Sequence, residues 1–209
     1  MIDGQSDGRV QRGDSTRRAI LRRAADIASV EGLDGLSIGR LATDLAISKS
    51  GVFAHFGSKE ELQLATIRAA TAIFTEAVVD PAMAEQAGVR RVRALVNGWL
   101  KYSAGRVFPG GCFFAAVTGG SGAREGRVRD ALAEAGTRWT ALLVTAVAEA
   151  REFGQFGQDT DPAQLAFELD AFAHAANTAS VLHGDGDAYI KASLAVMNRI
   201  SAASPSPLI

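Results

Sequence analysis

The chain has 209 residues, 47% of them hydrophobic, with 22 glycines and only five prolines. That length suits one large domain or two smaller ones, the apolar content excludes a mainly disordered chain, and scarce proline leaves long helices possible. A net charge of −1 excludes a uniformly basic nucleic-acid coat, and a single cysteine, Cys112, excludes an intramolecular disulfide.

Residues 1–14 are polar, rich in Asp, Gly and Arg, and read as a flexible arm with no signal-peptide character. A first helix is expected from about Ser15 or Thr16. It carries Ile20, Ala24, Ile27 and Ala28 at helical spacing, and Gly32 stops it. Ser37 then caps a short helix holding Ile38, Leu41, Ala42 and Leu45, and Ala46-Ile47 turn the chain. Ser48 caps a second short helix with Val52, Phe53 and Phe56, which Gly57 ends. Ser58 with Glu61 forms a capping box that opens a long helix to about Val79, where Asp80-Pro81 ends it. Further helices are expected over 85–104, after Gly110-Gly111, over 125–153, over 162–183 and over 187–202. The run of residues 119–122 breaks the chain, and residues 161–164 make a second capping box with proline at the first helical position. No strand alternation and no internal repeat appears, so the chain reads as all-α with about nine helices. No stretch approaches a membrane span, the best run being residues 141–148, so a cytoplasmic protein without membrane contact is expected.

The informative stretch is residues 38–56, IGRLATDLAISKSGVFAHF. Two short helices joined by a tight turn bury Leu41, Ala42, Leu45, Ile47 and Val52 together, which leaves the second free to lie in a major groove. Its first turn is Ser48, Lys49, Ser50 and Gly51. Small side chains allow close approach, hydroxyls and helix N-terminal N–H groups suit phosphate oxygens, and Lys49 adds charge. From Arg9 to Phe56 there are eight Arg or Lys (Arg9, Arg12, Arg17, Arg18, Arg22, Arg23, Arg40, Lys49) against five acids, a modest excess that permits DNA binding. The expected DNA-contacting set is Arg17, Ser37, Arg40, Ser48, Lys49, Ser50, Gly51, Phe53, His55 and Lys59.

Residues 16–62 resemble the DNA-binding domain of the TetR (tetracycline repressor) family. The resemblance rests on Gly32 after the first helix, Ser37 opening the second, the Leu41-Ala42 pair, the Ile47-Ser48 turn, the aromatic-x-His-Phe run of Phe53-Ala54-His55-Phe56, and the start of the next helix at residues 59–62. The sequence departs from the family pattern at two places. The turn residue that is often glycine is Ala46, and the usual tyrosine of the recognition helix is Phe53, which has no hydroxyl for a phosphate. The resemblance implies an arm over 1–14, a helix-turn-helix domain over 15–62, a ligand-binding and dimerisation domain over 63–203 and a tail over 204–209. It also implies a homodimeric repressor that meets double-stranded operator DNA and is modulated by a small-molecule effector, the alternative being a constitutive DNA-binding regulator without a ligand.

Beyond residue 63, scattered aromatics suit a pocket between helices. The expected lining is Phe74, Trp99, Tyr102, Phe108, Cys112, Phe113 and Trp139, with Phe114 beside them. Cys112 follows two glycines at a helix start, where a lowered pKa would make it a sensor of electrophiles or oxidants; the alternative is a small buried hydrophobe. By resemblance the last two helices pair with their copies in a dimer, through Phe167, Phe172, Ala176, Ala179, Tyr189, Ile190, Leu194 and Met197. An enzyme using Cys112 with His174 or His183 is the rival from another class. It finds no support in motif spacing, and no catalytic residue, cofactor or metal is expected.

Overall fold

The computed structural model describes residues 4–121 and 125–205. Residues 1–3 of the expected arm, Gly122 of the glycine run and residues 206–209 of the expected tail lie outside the described residues. Within them the regular structure is helical, apart from one isolated bridge between Phe108 and Gly111.

Helix α1 spans Gly4–Glu31 and so begins well before Ser15. No proline interrupts residues 4–14, and a polar stretch can be helical without showing an apolar period. Its apolar stripe of Ile20, Ala24, Ile27 and Ala28 is buried. Gly32, at φ 75°, turns the chain into a short 3₁₀ turn over Leu33–Gly35. Helices α2 (Ile38–Asp44) and α3 (Lys49–Phe56) follow.

Helix α4 (Lys59–Phe74) passes through a π-helical turn (Thr75–Val79) directly into α5 (Asp80–Met83). Asp80-Pro81 was expected to end this helix, yet it continues past the proline. Pro81 removes one backbone donor and crowds the preceding turn; a widened turn just before it absorbs both effects. The continuous run Lys59–Met83 is 25 residues long, with a window of mean hydropathy 1.3. By length and composition it could cross a membrane, contrary to the expectation that no stretch approaches a span. Half of that window is buried inside the fold, against α1 and α8.

Gly88, at φ 100°, starts α6 (Val89–Ala104). Helix α7 is Phe113–Ser121, so it runs into the glycine run expected to break the chain. Helix α8 is Arg127–Glu152, α9 Pro162–Leu182 and α10 Ala188–Ala203. The expected boundaries agree to within a few residues from α8 onward. Both capping boxes form only half. Ser58 Oγ accepts from the Glu61 N–H, but the Glu61 carboxylate pairs with Arg127. Asp161 Oδ1 accepts from Ala163 and Gln164, but Gln164 turns to Glu168.

Two apolar clusters hold these helices together. One runs without a break from α1, α2 and α3 through α4 and α6 to Phe108 and Phe113. The other fills the far end between α5, α6, α8, α9 and α10.

Candidate nucleic-acid interface and inner cavity

The geometry of α2 and α3 is set by their caps. Ser37 Oγ accepts from the Arg40 N–H at 3.1 Å, and Ser48 Oγ from the Gly51 N–H at 3.0 Å. Each satisfies one of the donors that a helix start leaves open. Ala46 turns the chain between them at φ 53°, left-handed backbone in a residue that carries a Cβ. Beneath, Leu41, Ala42, Val52 and Phe56 are buried, with Leu45 and Ile47 packed against them. This seam leaves the outer side of α3 in solvent. Ser48, Lys49 and Ser50 are exposed, and so is 53% of Phe53. Ser48 Oγ and Ser50 Oγ lie 3.1 Å apart, placing two hydroxyls beside the first turn of the helix. Burying an aromatic ring is ordinarily worth a few kcal/mol, and the packing of this chain leaves about half of Phe53 uncovered.

The other expected contacts have partners within the fold. The Arg17 guanidinium donates to the His55 carbonyl at 2.6 Å and lies 4.6 Å from the centre of the Phe56 ring, tying α1 to the end of α3. Arg40 makes a two-pronged pair with Glu31, which raises its pKa and lowers that of Glu31. Lys59 Nζ donates to the Asp34 carbonyl at 2.7 Å. His55 is half-buried beside Phe56. Gly51 is half-exposed, and an added Cβ there would meet Ser48 Oγ at 3.1 Å.

A cavity of about 320 Å³ lies between α4, α6, α7, α8 and α9. Phe74 from α4, Trp99 from α6, Cys112 and Phe114 from the start of α7, and Trp139 from α8 line it, together with Asp170 and His174 from α9. The Phe114 and Trp139 rings both stand edge-on to Phe74, at 85° and 87°. Trp139 Nε1 donates to Asp170 Oδ1 at 2.8 Å, and His174 Nε2 is 3.5 Å from Asp170 Oδ2. Tyr102, Phe108 and Phe113 are buried in the core beside the cavity and do not line it. Asp170 and His174 on α9 were not anticipated as lining. Their spacing of four puts them on one helical face, and that was the available signal.

Cys112 is buried, and burial pushes its thiol up to about 11. This is opposite to the lowered value expected for a sensor at a helix start, because desolvation of the thiolate outweighs the nearby backbone N–H groups. Although Cys112 and His174 both face the cavity, a thiol held protonated is a poor nucleophile. Among the described residues no group of three or more His, Cys, Asp or Glu is placed to hold a metal.

One junction joins the helix-turn-helix to the cavity. Ser29 on α1 accepts from the Gly110 N–H, and Arg22 donates to the Val107 carbonyl while lying over the Phe108 ring. Two residues on, the Cys112 N–H donates to Asn177 Oδ1 at 3.0 Å. That same oxygen accepts from Ser103, whose hydroxyl also meets Tyr189 at 2.7 Å.

On α9 and α10, Phe167, Ile190, Leu194 and Met197 are each more than half exposed. Phe172, Ala179 and Tyr189 are half-buried, and Ala176 is buried in the core.

The comparisons with known proteins bear on both halves. The sequence profile of the tetR family of bacterial regulatory proteins matches residues 20–66. The profile described as the tetracyclin repressor-like C-terminal domain matches residues 88–196, more than half of the chain. The chain belongs to the TetR family. No curated protein matches its sequence significantly. Several solved structures share the fold. A TetR transcriptional regulator from Chloroflexus aurantiacus is 22% identical, with a TM-score of 0.84 over 93% of this chain and 98% of that one. A putative transcriptional regulator from Saccharomonospora viridis, solved in complex with choline, is 21% identical with a TM-score of 0.77 over 90% and 96%. AibR, solved with isovaleryl coenzyme A and operator DNA, is 20% identical with a TM-score of 0.70 over 91% and 98%.

As a TetR protein the chain is a DNA-binding regulator with an all-α fold. Its α2–α3 pair lies within the matched N-terminal segment, and most of the cavity wall lies within the matched C-terminal one.

Proposed function

We propose that this TetR protein is a homodimeric, cytoplasmic repressor whose affinity for a near-palindromic operator changes when a small molecule enters the cavity. The outer face of α3 carries the proposal: it is exposed, capped by Ser48 and held up by a buried seam, which is the form a major groove can receive. The Ser48 and Ser50 hydroxyls and Lys49 suit phosphate oxygens, and Phe53 suits apolar contact with a thymine methyl. Arg17, Arg40 and Lys59, which brace the head, also present positive charge near the backbone. In support, AibR was solved with both operator DNA and an acyl coenzyme A, and the Saccharomonospora viridis regulator with choline. Folds of this kind thus hold small molecules and DNA. The junction at Gly110, Cys112 and Asn177 supplies the link between cavity and head, since Cys112 lines the one and Gly110 docks on the helix of the other.

Fluorescence anisotropy with a labelled duplex from the protein's own upstream region tests the reading. Saturable binding about a thousandfold tighter than to a random duplex is expected, weakening steeply with salt. Lys49→Ala should weaken binding across sequences and flatten the salt slope by about one. Affinity no better than for random DNA would end the proposal. Unaltered affinity with every ligand that raises the melting temperature would leave a constitutive DNA-binding protein.

A further inference from the structure

We infer that the cavity takes a small organic cation, a quaternary or tertiary ammonium group held among aromatic faces and the Asp170 carboxylate. The inference rests on the proposed reading of the cavity as a ligand site and adds the ligand's charge.

The walls of the cavity are rich in aromatic rings. Phe74, Phe114 and Trp139 all line the cavity, the latter two packed at nearly right angles to Phe74. Trp99 adds a fourth aromatic wall and packs 5.4 Å from His174. Ring faces are electron-rich, and a desolvated cation over such faces is favoured where a neutral group of the same shape is not. The walls also carry a negative charge. Asp170 is the sole carboxylate among the lining residues, its side chain about a quarter exposed at the wall. One oxygen is fixed by the Trp139 N–H at 2.8 Å, which aims the carboxylate without neutralising it. The other faces His174 Nε2 at 3.5 Å, longer than a good hydrogen bond.

The remaining charged lining group does not cancel this. The Arg138 guanidinium is bound to Glu134 at 2.5 Å, and both side chains are more than half exposed. Its guanidinium is thus engaged at the solvent-exposed rim of the cavity. An anionic ligand would meet the Asp170 carboxylate in largely apolar surroundings, where like-charge repulsion is less screened than in water. The size limit follows from the volume. About 320 Å³ corresponds to roughly ten water molecules, enough for a trimethylammonium group with a short aliphatic or aromatic substituent.

Tryptophan fluorescence and calorimetry on the full chain decide the matter with three benzyl probes: benzyltrimethylammonium, its neutral isostere neopentylbenzene, and the smaller anion phenylacetate. The cation should bind about tenfold or more tighter than the neutral isostere, and the anion should not bind. Asp170→Asn should lose about tenfold for the cation and leave the neutral probe unchanged. Trp139→Phe keeps a ring but frees the carboxylate, and should weaken the cation by a smaller factor; it serves as the second variant if Asp170→Asn melts early. The inference is overturned if the neutral or anionic probe binds as well as the cation, if no probe binds, or if Asp170→Asn folds and binds the cation like the parent. Operator binding of the unliganded protein is measured in parallel. Intact operator binding with a failed cation preference removes only the ligand class, whereas loss of both removes the regulator reading as well.

Discussion

Ala46 carries a local cost that its neighbours do not. Left-handed backbone brings a Cβ close to the following carbonyl and costs about 1–2 kcal/mol in a residue other than glycine. The turn from α2 to α3 requires this conformation, and Ala46 adopts it at φ 53°. Ala46→Gly relieves the clash but makes the unfolded chain more flexible, which offsets about 0.4–1 kcal/mol. A net stabilisation of roughly 1 kcal/mol is expected, read as a higher urea midpoint at unchanged slope. A lower midpoint would show that the turn is not strained. At Cys112 the chemistry runs the other way from the sequence expectation. Its thiol is raised from 9.0 to about 11 by burial, so the folded chain holds that proton more tightly than the unfolded chain does. The associated stability is fully present below pH 9 and is lost as pH rises through about 11. Native alkylation by iodoacetamide should accordingly be slow at pH 7 and accelerate towards pH 11, followed by mass spectrometry. Rapid labelling at pH 7 would restore the sensor.

Between elements, the tightest of the described glycine sites is Gly110 against the end of α1. A Cβ on Gly110 would sit 1.7 Å from the Ser29 carbonyl oxygen and 2.5 Å from its carbon. Both are backbone atoms of a helix and cannot step aside. Gly110→Ala should therefore cost about 1–3 kcal/mol and lower the melting temperature. Gly186→Ala, where nothing lies within 4 Å, should leave it unchanged. Equal melting temperatures for the two variants would mean that α1 does not rest on this loop. This junction also shows what the sequence left hidden. The caps Ser37, Ser48, Ser58 and Asp161 were legible because each acts within three residues of itself. The apolar seam of α2 and α3 was legible for the same reason. By contrast, Ser29 meets Gly110 across 81 positions and Cys112 meets Asn177 across 65. Asn177 sits on the buried stripe of α9 near Ala173 and Ala176, and a lone amide on such a stripe was the one visible hint. The cavity was half legible. Phe74, Trp99, Cys112 and Trp139 were aromatic or unusual enough to single out, but which rings line the space and which fill the core depends on how α4, α6, α7, α8 and α9 meet.

For the whole molecule, the unfinished surface is the outer side of α9 and α10. Ile190, Leu194 and Met197 fall at successive turns of α10 and are 68%, 53% and 52% exposed, and Phe167 on α9 is 68% exposed. Fully burying a side chain of this size is worth about 1.5–3 kcal/mol, and with half to two-thirds of each still exposed a single copy leaves part of that unused. In the proposed dimer a second copy of the same two helices would supply a matching surface about a two-fold axis, which is also what the proposed repressor of paired half-sites needs. Sedimentation should then give twice the 21.8 kDa chain mass. The double variant Ile190→Glu, Leu194→Glu should sediment as a single chain and keep its helical circular dichroism, because neither side chain is part of the core. Its operator affinity should fall by about a hundredfold or more, since the two heads no longer bind as one linked unit. A parent protein that sediments as one chain at tens of micromolar, or a double variant that stays paired, would place the dimer contact elsewhere or remove it.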